Sequence, residues 1–233
     1  MTINDALMKD IVGWDVRTWS KAFRFWESTV GNPREVLDCL ELGAGPGGPS
    51  LWLALQGHHV ICSNNSATKQ HALPLHSKYS MHTRIDYQDI DAQNIPYENR
   101  FDLIVFKSVL GGIGPDGKAT LQTQHVAMRQ ILKALKPGGR LLFAENIRGS
   151  VLHRLARAVA YKMRRACWRF MTLAETREFL SGFRSYELHT TGVLAMLGVN
   201  ESQRNALGAV DDLALNRITP ASWQYLVYGV ATK

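Results

Sequence analysis

The chain has 233 residues, of which 45% are hydrophobic, enough for one globular unit with a substantial buried core. No apolar run approaches the roughly 18 residues of a membrane span, and the amino terminus lacks the basic and apolar regions of a secretory signal. The formal net charge of +7 is a weak indication of an anionic partner. Cys39, Cys62 and Cys167 have no paired spacing, so we expect free thiols in a reducing, cytoplasmic compartment, with the first two buried.

The apolar pattern predicts helices that alternate with strands over the first 150 residues. A first helix is expected within residues 5–30, where Trp19, Phe23 and Trp26 share one face, and Gly31 to Pro33 would end it. The strands predicted after it are residues 36–42, 59–63, 84–88, 101–109 and 140–144; the helices between them are residues 50–56, 67–79 and 120–135, and residues 136–139 form a turn. This alternation predicts right-handed crossovers and a parallel sheet covered on both faces.

Beyond residue 150 the pattern changes. It predicts a long basic helix over residues 151–170, a helix over 173–180, a strand over 185–190 and a closing strand over 223–231. We interpret residues 1–233 as a single domain that carries two appendages. One is an aromatic helical lid over the cofactor pocket (about residues 1–32), for which a plain core role is the alternative, and the other is a helical insertion or lid (about residues 148–183).

Glycine fills four of the six positions that follow the strand predicted at residues 36–42, namely Gly43, Gly45, Gly47 and Gly48. Glycine tolerates positive φ and lets the backbone approach a ligand closely, so a strand that ends in this turn and opens a helix predicts a binding loop. A tight turn without a ligand is the alternative. Gly43, Gly45 and Gly48 also satisfy the dinucleotide fingerprint GxGxxG, so the glycines alone do not decide which ligand is bound.

Three further features narrow the choice. Glu41 is an acid at the end of the strand, where it would support the loop or a bound amino acid. Asp91 and the Ala-Gln-Asn-Ile-Pro-Tyr that follows place a carboxylate at a strand end, where it could accept from an adenine amine. Phe-Asp-Leu-Ile at residues 101–104 and Leu-Lys-Pro-Gly-Gly at residues 135–139 then follow at matching intervals.

Together and in this order, these motifs resemble class I S-adenosylmethionine-dependent methyltransferases across residues 36–147. The resemblance implies a Rossmann-like three-layer αβα sandwich, α/β in class, with a seven-stranded, mostly parallel sheet whose last strand is antiparallel. Residues 223–231 fit that last strand. The implied cofactor is S-adenosyl-L-methionine, and we expect it to be bound by Glu41, Gly43, Ala44, Gly45, Gly47, Asn64, Asn65, Asp91, Ala92, Lys107 and Trp19.

One position departs from the family's pattern. The family usually has Asp or Glu after the second strand, where it holds the ribose hydroxyls, whereas this chain has Asn64 with Asn65 beside it. An amide lacks the charge-assisted strength of a carboxylate, so we expect weaker cofactor binding but not its loss. A solvent-facing turn residue is the alternative for Asn64.

The tip of the fourth strand excludes several subclasses. It has neither the tetrapeptide of enzymes that methylate exocyclic amines of bases nor the paired glutamates of arginine methyltransferases, and Lys107 would repel a divalent cation. We therefore expect a metal-independent enzyme that methylates an O or N atom of a small molecule by in-line transfer. Lys107 could receive a carboxylate, or it could extend to solvent. Glu145 is the first candidate to orient or deprotonate the nucleophile, and a helix-capping or ion-paired surface acid is its alternative.

The predicted basic helix carries Arg and Lys residues on one side and Leu152, Leu155, Val159, Met163 and Cys167 on the other. We favour a lid whose apolar stripe packs on the domain, and the alternative is peripheral contact with an anionic membrane through residues 151–170. An RNA methyltransferase that uses this helix and a non-catalytic cofactor-binding homologue are the rival functions; a dehydrogenase is a distant fourth. The sequence gives no oligomeric state.

Overall fold

The computed structural model describes residues 4–30, 35–114, 117–164 and 168–233. The strands are β1 (Asp38–Leu42), β2 (His59–Asn64), β3 (Ile85–Asp89), β4 (Phe101–Lys107), β5 (Leu135–Asn146), β6 (Ser185–Thr191) and β7 (Leu226–Thr232). The helices are α1 (Asp5–Val12), α2 (Val16–Val30), α3 (Gly48–Leu55), α4 (Thr68–Lys78), α5 (Leu121–Ala134), α6 (Val151–Arg164), α7 (Leu173–Leu180) and α8 (Glu201–Val210).

The seven strands form one sheet in the order β3-β2-β1-β4-β5-β7-β6. The pairs from β3 to β5 are parallel, and β7 runs antiparallel between β5 and β6. The predicted fold class is therefore confirmed, including the antiparallel last strand. Because the strand order reverses between β1 and β4, the loops at their carboxyl ends diverge and leave a crevice, which is where sheets of this kind bind ligands.

Two apolar layers cover the sheet. On one face, Trp19, Phe23 and Trp26 of α2 pack with Trp52 of α3 in a fully buried cluster. On the other face, α5 and α7 cover the sheet, with Ile131 and Phe179 buried against it. The aromatic stripe of α2 is therefore core. Cys39 and Cys62 are buried free thiols, as expected, and Cys167 lies outside the described residues.

The first predicted helix is wrong in one respect, because it is two helices. Gly13 has φ +85° and Asp15 has φ +48°, and this left-handed backbone turns the chain between α1 and α2. The carbonyl of Asp15 then accepts from the amides of Thr18 and Trp19, so the turn starts α2 directly. The turn expected to end this helix, Gly31 to Pro33, lies outside the described residues.

Three other boundaries differ from the prediction. The turn at residues 136–139 is a bulge within β5: Leu135 pairs with Phe101 and Arg140 with Leu103, and the intervening residues loop out. The closing strand begins at Leu226, because residues 221–223 form a short 3-10 turn. Finally, α6 ends at Arg164, and residues 168–170 are not helical.

The prediction missed the helical segment between β6 and β7. Asn200 caps α8, its side chain accepting from the amide of Gln203, and the helix continues through one π-helical turn at residues 211–215. The N-cap asparagine followed by Glu201 was a usable signal for this helix. Across the described ranges, no helix combines the length and apolar content needed to cross a bilayer.

Candidate functional site

A cleft of about 490 Å³ opens at the carboxyl ends of β1 to β4. Five of the expected cofactor-binding residues line it: Gly43, Asn64, Asn65, Asp91 and Ala92. The rest of the lining comes from the segment after β3, the loop after β4 and the segment after α6, namely Ile90, Gln93, Ser108, Val109, Gly112, Ile113, Gly114, Gly117 and Trp168. The other expected residues, Glu41, Ala44, Gly45, Gly47, Lys107 and Trp19, are not among the described residues that line it.

The glycines of the turn after β1 are required for different reasons. A Cβ at Gly48 would lie 1.9 Å from the carbonyl oxygen of Ile11, and one at Gly47 would lie 2.4 Å from Nε2 of His76. At Gly43 it would meet the Val109 side chain at 2.5 Å. Only Gly45, with φ +52°, faces open space for 4 Å around its missing Cβ. Three of these glycines therefore allow close internal packing, and Gly45 is the one that leaves room for a ligand.

Asn64, at the end of β2, supports this turn directly. Its Oδ1 accepts a hydrogen bond from the amide of Gly45 at 2.9 Å, and its own amide donates to the Thr68 hydroxyl at 2.8 Å. Its Nδ2 is buried and has no hydrogen-bond partner among the described residues. Asn64 is therefore not a plain solvent-facing turn residue, and its unpaired donor suits a ligand oxygen in the cleft.

Asp91 and Ala92 form the wall of the cleft beyond β3. Oδ1 of Asp91 accepts from the amide of Gln93 at 2.9 Å, which fixes the turn, and Asp91 is exposed while Ala92 is buried. The carboxylate and the adjoining backbone therefore present hydrogen-bonding groups at this wall.

Glu41 lies behind the turn and supports it from below. It is buried, and its Oε2 accepts from the amide of Ser50 at 2.7 Å in the first turn of α3. Burial raises the pKa of Glu41 to about 8, and the bond from Ser50 opposes the rise. Of the two roles expected for Glu41, the geometry shows the supporting one.

Lys107, at the end of β4, lies next to the glycine turn, because the register pairs Leu42 with Phe106. Its Nζ is 4.7 Å from the ring centre of Trp19 and 5.2 Å from that of Trp14. Within the described ranges no residue forms a hydrogen bond or ion pair with this ammonium. Desolvation lowers the pKa of Lys107 to about 8, while three carboxylates oppose the shift. Lys107 is partly exposed, so both expected roles, receiving a carboxylate and extending to solvent, stay predictions.

The nearby carboxylates include Asp15, which the sequence analysis missed. Asp15 is fully buried; its Oδ2 accepts from the Tyr225 hydroxyl at 2.5 Å, and its Oδ1 has no hydrogen-bond partner in the described part of the chain. Its amide donates to Glu201 at 2.8 Å, so α8 holds this turn from outside. Burial raises the pKa of Asp15 to about 6. Nothing local in the sequence marks Asp15, because its burial depends on residues more than 180 positions away.

Glu145, at the end of β5, holds the loop that follows β4. Its Oε2 accepts from the amides of Val109 and Leu110 at 2.7 and 2.8 Å, and its Oε1 accepts from Asn146 at 3.0 Å. Burial raises the pKa of Glu145 to about 7, and these bonds oppose the rise. The surface-acid alternative is wrong because Glu145 is buried. Its expected part in catalysis stays a prediction, since both oxygens serve the backbone.

Trp168, which the sequence analysis assigned to the basic helix, covers part of the cleft instead. A Cβ at Gly111 would lie 1.8 Å from its Nε1, and one at Gly112 would lie 2.7 Å from its ring, so the indole lies flat on this backbone. The amide of Arg169 donates to the carbonyl of Gly111 at 2.8 Å and fixes the contact. In the sequence, the adjacent glycines Gly111 and Gly112 were the signal that a bulky side chain packs on this loop.

The described residues include no group of three or more His, Cys, Asp or Glu side chains that could hold a metal ion.

Ser108 lines the cleft and has φ +58°, a conformation rare for a residue with a side chain. Its hydroxyl accepts from Nδ2 of Asn146 at 3.3 Å. Strained residues of this kind tend to occur at functional sites.

The fold and the cleft define a Rossmann-like protein that binds its ligand at the carboxyl edge of the sheet. Residues 40–143 match the family model described as a methyltransferase domain. This match confirms the resemblance to class I S-adenosylmethionine-dependent methyltransferases over these residues. No protein of curated function matches the chain in sequence.

Solved structures agree with the fold at low identity. Phosphoethanolamine N-methyltransferase 2 of Haemonchus contortus, bound to phosphomonomethylethanolamine and S-adenosylhomocysteine, is 18% identical with a TM-score of 0.62; the alignment covers 92% of this chain and 52% of that one. This chain thus spans about half the length of that protein. A methyltransferase of Thermotoga maritima, described as S-adenosylmethionine-dependent, is 14% identical with a TM-score of 0.61, covering 94% and 91%. The cyclase SpnF is 18% identical with a TM-score of 0.60, covering 92% and 80%.

Proposed function

We propose that this protein is an S-adenosylmethionine-dependent methyltransferase that acts on a small molecule. The observation that carries the proposal is the cleft itself, which four successive strand ends line and beside which Gly45 leaves open space. Bound there, S-adenosylmethionine supplies a methyl group on a sulfonium sulfur, which a nucleophile attacks in line. The protein's task is then to position both reactants and exclude water.

The residues of the cleft fit this cofactor in their hydrogen-bonding chemistry. The unpaired Nδ2 of Asn64 can donate to a ribose hydroxyl, and Asn65 lies beside it. The carboxylate of Asp91 can accept from the adenine amine, and Ala92 supplies backbone next to it. The side-chain oxygen Oδ1 of Asn64 already accepts from the amide of Gly45, so Asn64 can hold the ribose only through its Nδ2 group. This supports the expectation of weaker binding than in relatives with an acid here.

We propose that the amino-acid end of the cofactor lies against Asp15, Trp19 and Lys107. Oδ1 of Asp15 and Nε1 of Trp19 are both buried without a partner among the described residues, and the Lys107 ammonium is likewise unpaired. An anionic acceptor, a donor and a cation together match an ammonium and a carboxylate on one carbon. A buried unpaired group is costly, so a ligand that pairs with Asp15 and Trp19 would recover that cost.

The acceptor molecule would then enter between Ser108 and Trp168, at the open end of the cleft. The hydroxyl of Ser108, whose amide donates to the carbonyl of Ala144 in β5, is a candidate contact for an O or N nucleophile. We assign Glu145 the role of a positioning residue, because it fixes the loop that carries this end of the cleft. A cytoplasmic location and metal-independent transfer remain part of the proposal.

Two rival functions stay open to the same test. The fold neighbour SpnF is described as a cyclase, so this fold also serves proteins that are not named as methyltransferases. A non-catalytic binding protein would retain the cofactor without turnover, and an RNA methyltransferase would use the basic segment around α6. The small-molecule proposal rests on a cleft partly covered by Trp168, which leaves less room for a polymer.

Calorimetric titration with S-adenosylmethionine, S-adenosylhomocysteine and NAD separates these functions at the first step. We expect the two sulfur compounds to bind and NAD not to bind. Methylated product is then sought by mass spectrometry over a panel of small amines, phenols and carboxylic acids, with an RNA mixture as the polymer arm. Binding without any product would favour the non-catalytic homologue, methylation of RNA alone would favour the polymer substrate, and absence of binding would refute the proposal.

A further inference from the structure

Two polar residues of helix α6, His153 and Arg157, face the domain. His153 is fully buried, and its Nε2 forms a 2.6 Å hydrogen bond with the carbonyl of Val193. Arg157 is also buried, and its guanidinium donates to the carbonyl of Ile147 at 2.6 Å and lies 3.9 Å from the ring centre of Phe170. These contacts fix the rotation of the helix on the domain.

Four apolar residues of the first part of this helix, within residues 151–159, face solvent. Val151, Leu152, Leu155 and Val159 are 59%, 48%, 63% and 64% exposed. Val151, Leu155 and Val159 follow at intervals of four, so they form a strip about 12 Å long at 1.5 Å per residue. This is the reverse of a surface helix, whose apolar stripe faces the core. The expected lid whose stripe packs on the domain is wrong for these residues.

The charge around this strip has one sign. No Asp or Glu occurs between Glu145 and Glu175, whereas this stretch contains Arg148, Arg154, Arg157, Lys162, Arg164, Arg165 and Arg169. Of these, Arg148 and Arg154 are exposed next to the strip. Arg165 lies outside the described residues. A partner must therefore accept aliphatic side chains and provide negative charge at the same face.

We propose that the outward face of α6, residues 151–159, binds the surface of an anionic lipid membrane. Aliphatic side chains can enter the boundary between head groups and acyl chains while Arg148 and Arg154 meet lipid phosphates. A second copy of this chain is a poorer occupant, because two helices with the same positive charge would face each other. A nucleic acid would satisfy the arginines but leave four aliphatic side chains in water.

Vesicle co-sedimentation of the full chain tests the proposal, with vesicles of phosphatidylcholine alone and of phosphatidylcholine with 30% phosphatidylserine, at about 50 and 200 mM salt. We expect binding to the anionic vesicles at least tenfold stronger than to the neutral ones, and weaker at the higher salt. Failure to pellet with anionic vesicles at either salt concentration, or equal pelleting with both compositions, would overturn the proposal.

Two variants test whether α6 carries the binding. L155S/V159S should reduce vesicle binding at least tenfold, and V151S should reduce it severalfold. The matched control is V36S, because Val36 is 59% exposed, as is Val151, and precedes the amino end of β1, whereas α6 follows the carboxyl end of β5. Circular dichroism melting checks that all variants fold. If L155S/V159S binds vesicles like the wild type, or instead abolishes a dimer seen by sedimentation velocity, the membrane assignment is overturned.

Discussion

The substitution Gly48→Ala tests why the turn after β1 contains its last glycine. Gly48 begins α3, and a Cβ there would lie 1.9 Å from the carbonyl oxygen of Ile11, near the end of α1. That oxygen belongs to the backbone and has no rotamer through which to move away. Ordinary contact begins near 3.4 Å, so α1 and α3 must separate by about 1.5 Å.

The expected loss of stability follows from what this separation disturbs. Leu7, Ile11 and Val12 of α1 are all at most 3% exposed, so their packing on α3 opens when the helices move apart. Overpacking of a well-packed core costs about 1 to 3 kcal/mol. Since a backbone atom is the obstacle, we expect the upper end, about 3 kcal/mol. For a chain of this size, that lowers Tm by roughly 6 to 12 °C.

Thermal and urea unfolding of Gly48→Ala against wild type measure this loss. Gly182→Ala is the matched control, because a Cβ there would meet only Cδ2 of Leu132, at an ordinary 3.4 Å. We expect the control to stay within about 2 °C of wild type. A Tm for Gly48→Ala within that same margin would refute the packing argument, and an equal loss in both variants would show that any alanine in place of glycine has this effect.

Four further predictions concern the cleft and its charges. Gly45→Ala should weaken S-adenosylmethionine binding at least tenfold in calorimetry, because its Cβ enters the open space that the ligand would use. Tm should fall less than in the Gly48 variant, because this Cβ meets no protein atom within 4 Å. Unchanged affinity would contradict the prediction. Asn64→Asp should tighten binding about fivefold, since a charged acceptor bonds about twice as strongly as a neutral one; Gln70→Glu, exposed on α4, controls for net charge. Burial raises the pKa of Asp15 to about 6, so affinity should fall below pH 6 in wild type, whereas Asp15→Asn should bind independently of pH in that range. Burial also raises the pKa of Glu145 from 4.5 to about 7. The protonated carboxyl therefore stabilises the folded state fully below pH 4.5, and this contribution is lost as the pH rises through 7. In chemical unfolding, Glu145→Gln should lack that part of the decline in folding stability with rising pH.

The sheet and the glycine turn could be predicted because their signals are local. Apolar runs such as Phe101–Lys107 mark buried strands, and the glycines mark the turn that follows β1, whatever the rest of the chain does. The motif at Asp91 is local in the same sense, and its side chain lies in the cleft. The break between α1 and α2 was missed, because the left-handed conformation of Asp15 is held by Glu201 and Tyr225, which are distant in sequence.

The sequence by itself determined the order of the strands, the glycine turn after β1, and the methyltransferase-domain model that residues 40–143 match. Only the tertiary structure decided which glycine faces open space, which carboxylates surround Lys107, and which side of α6 faces solvent. The reason is physical: helical periodicity states which residues share a face, but not which face is buried. For α6, buried hydrogen bonds from His153 and Arg157 to backbone carbonyls fixed that choice, and one of those carbonyls lies 40 residues away, at Val193.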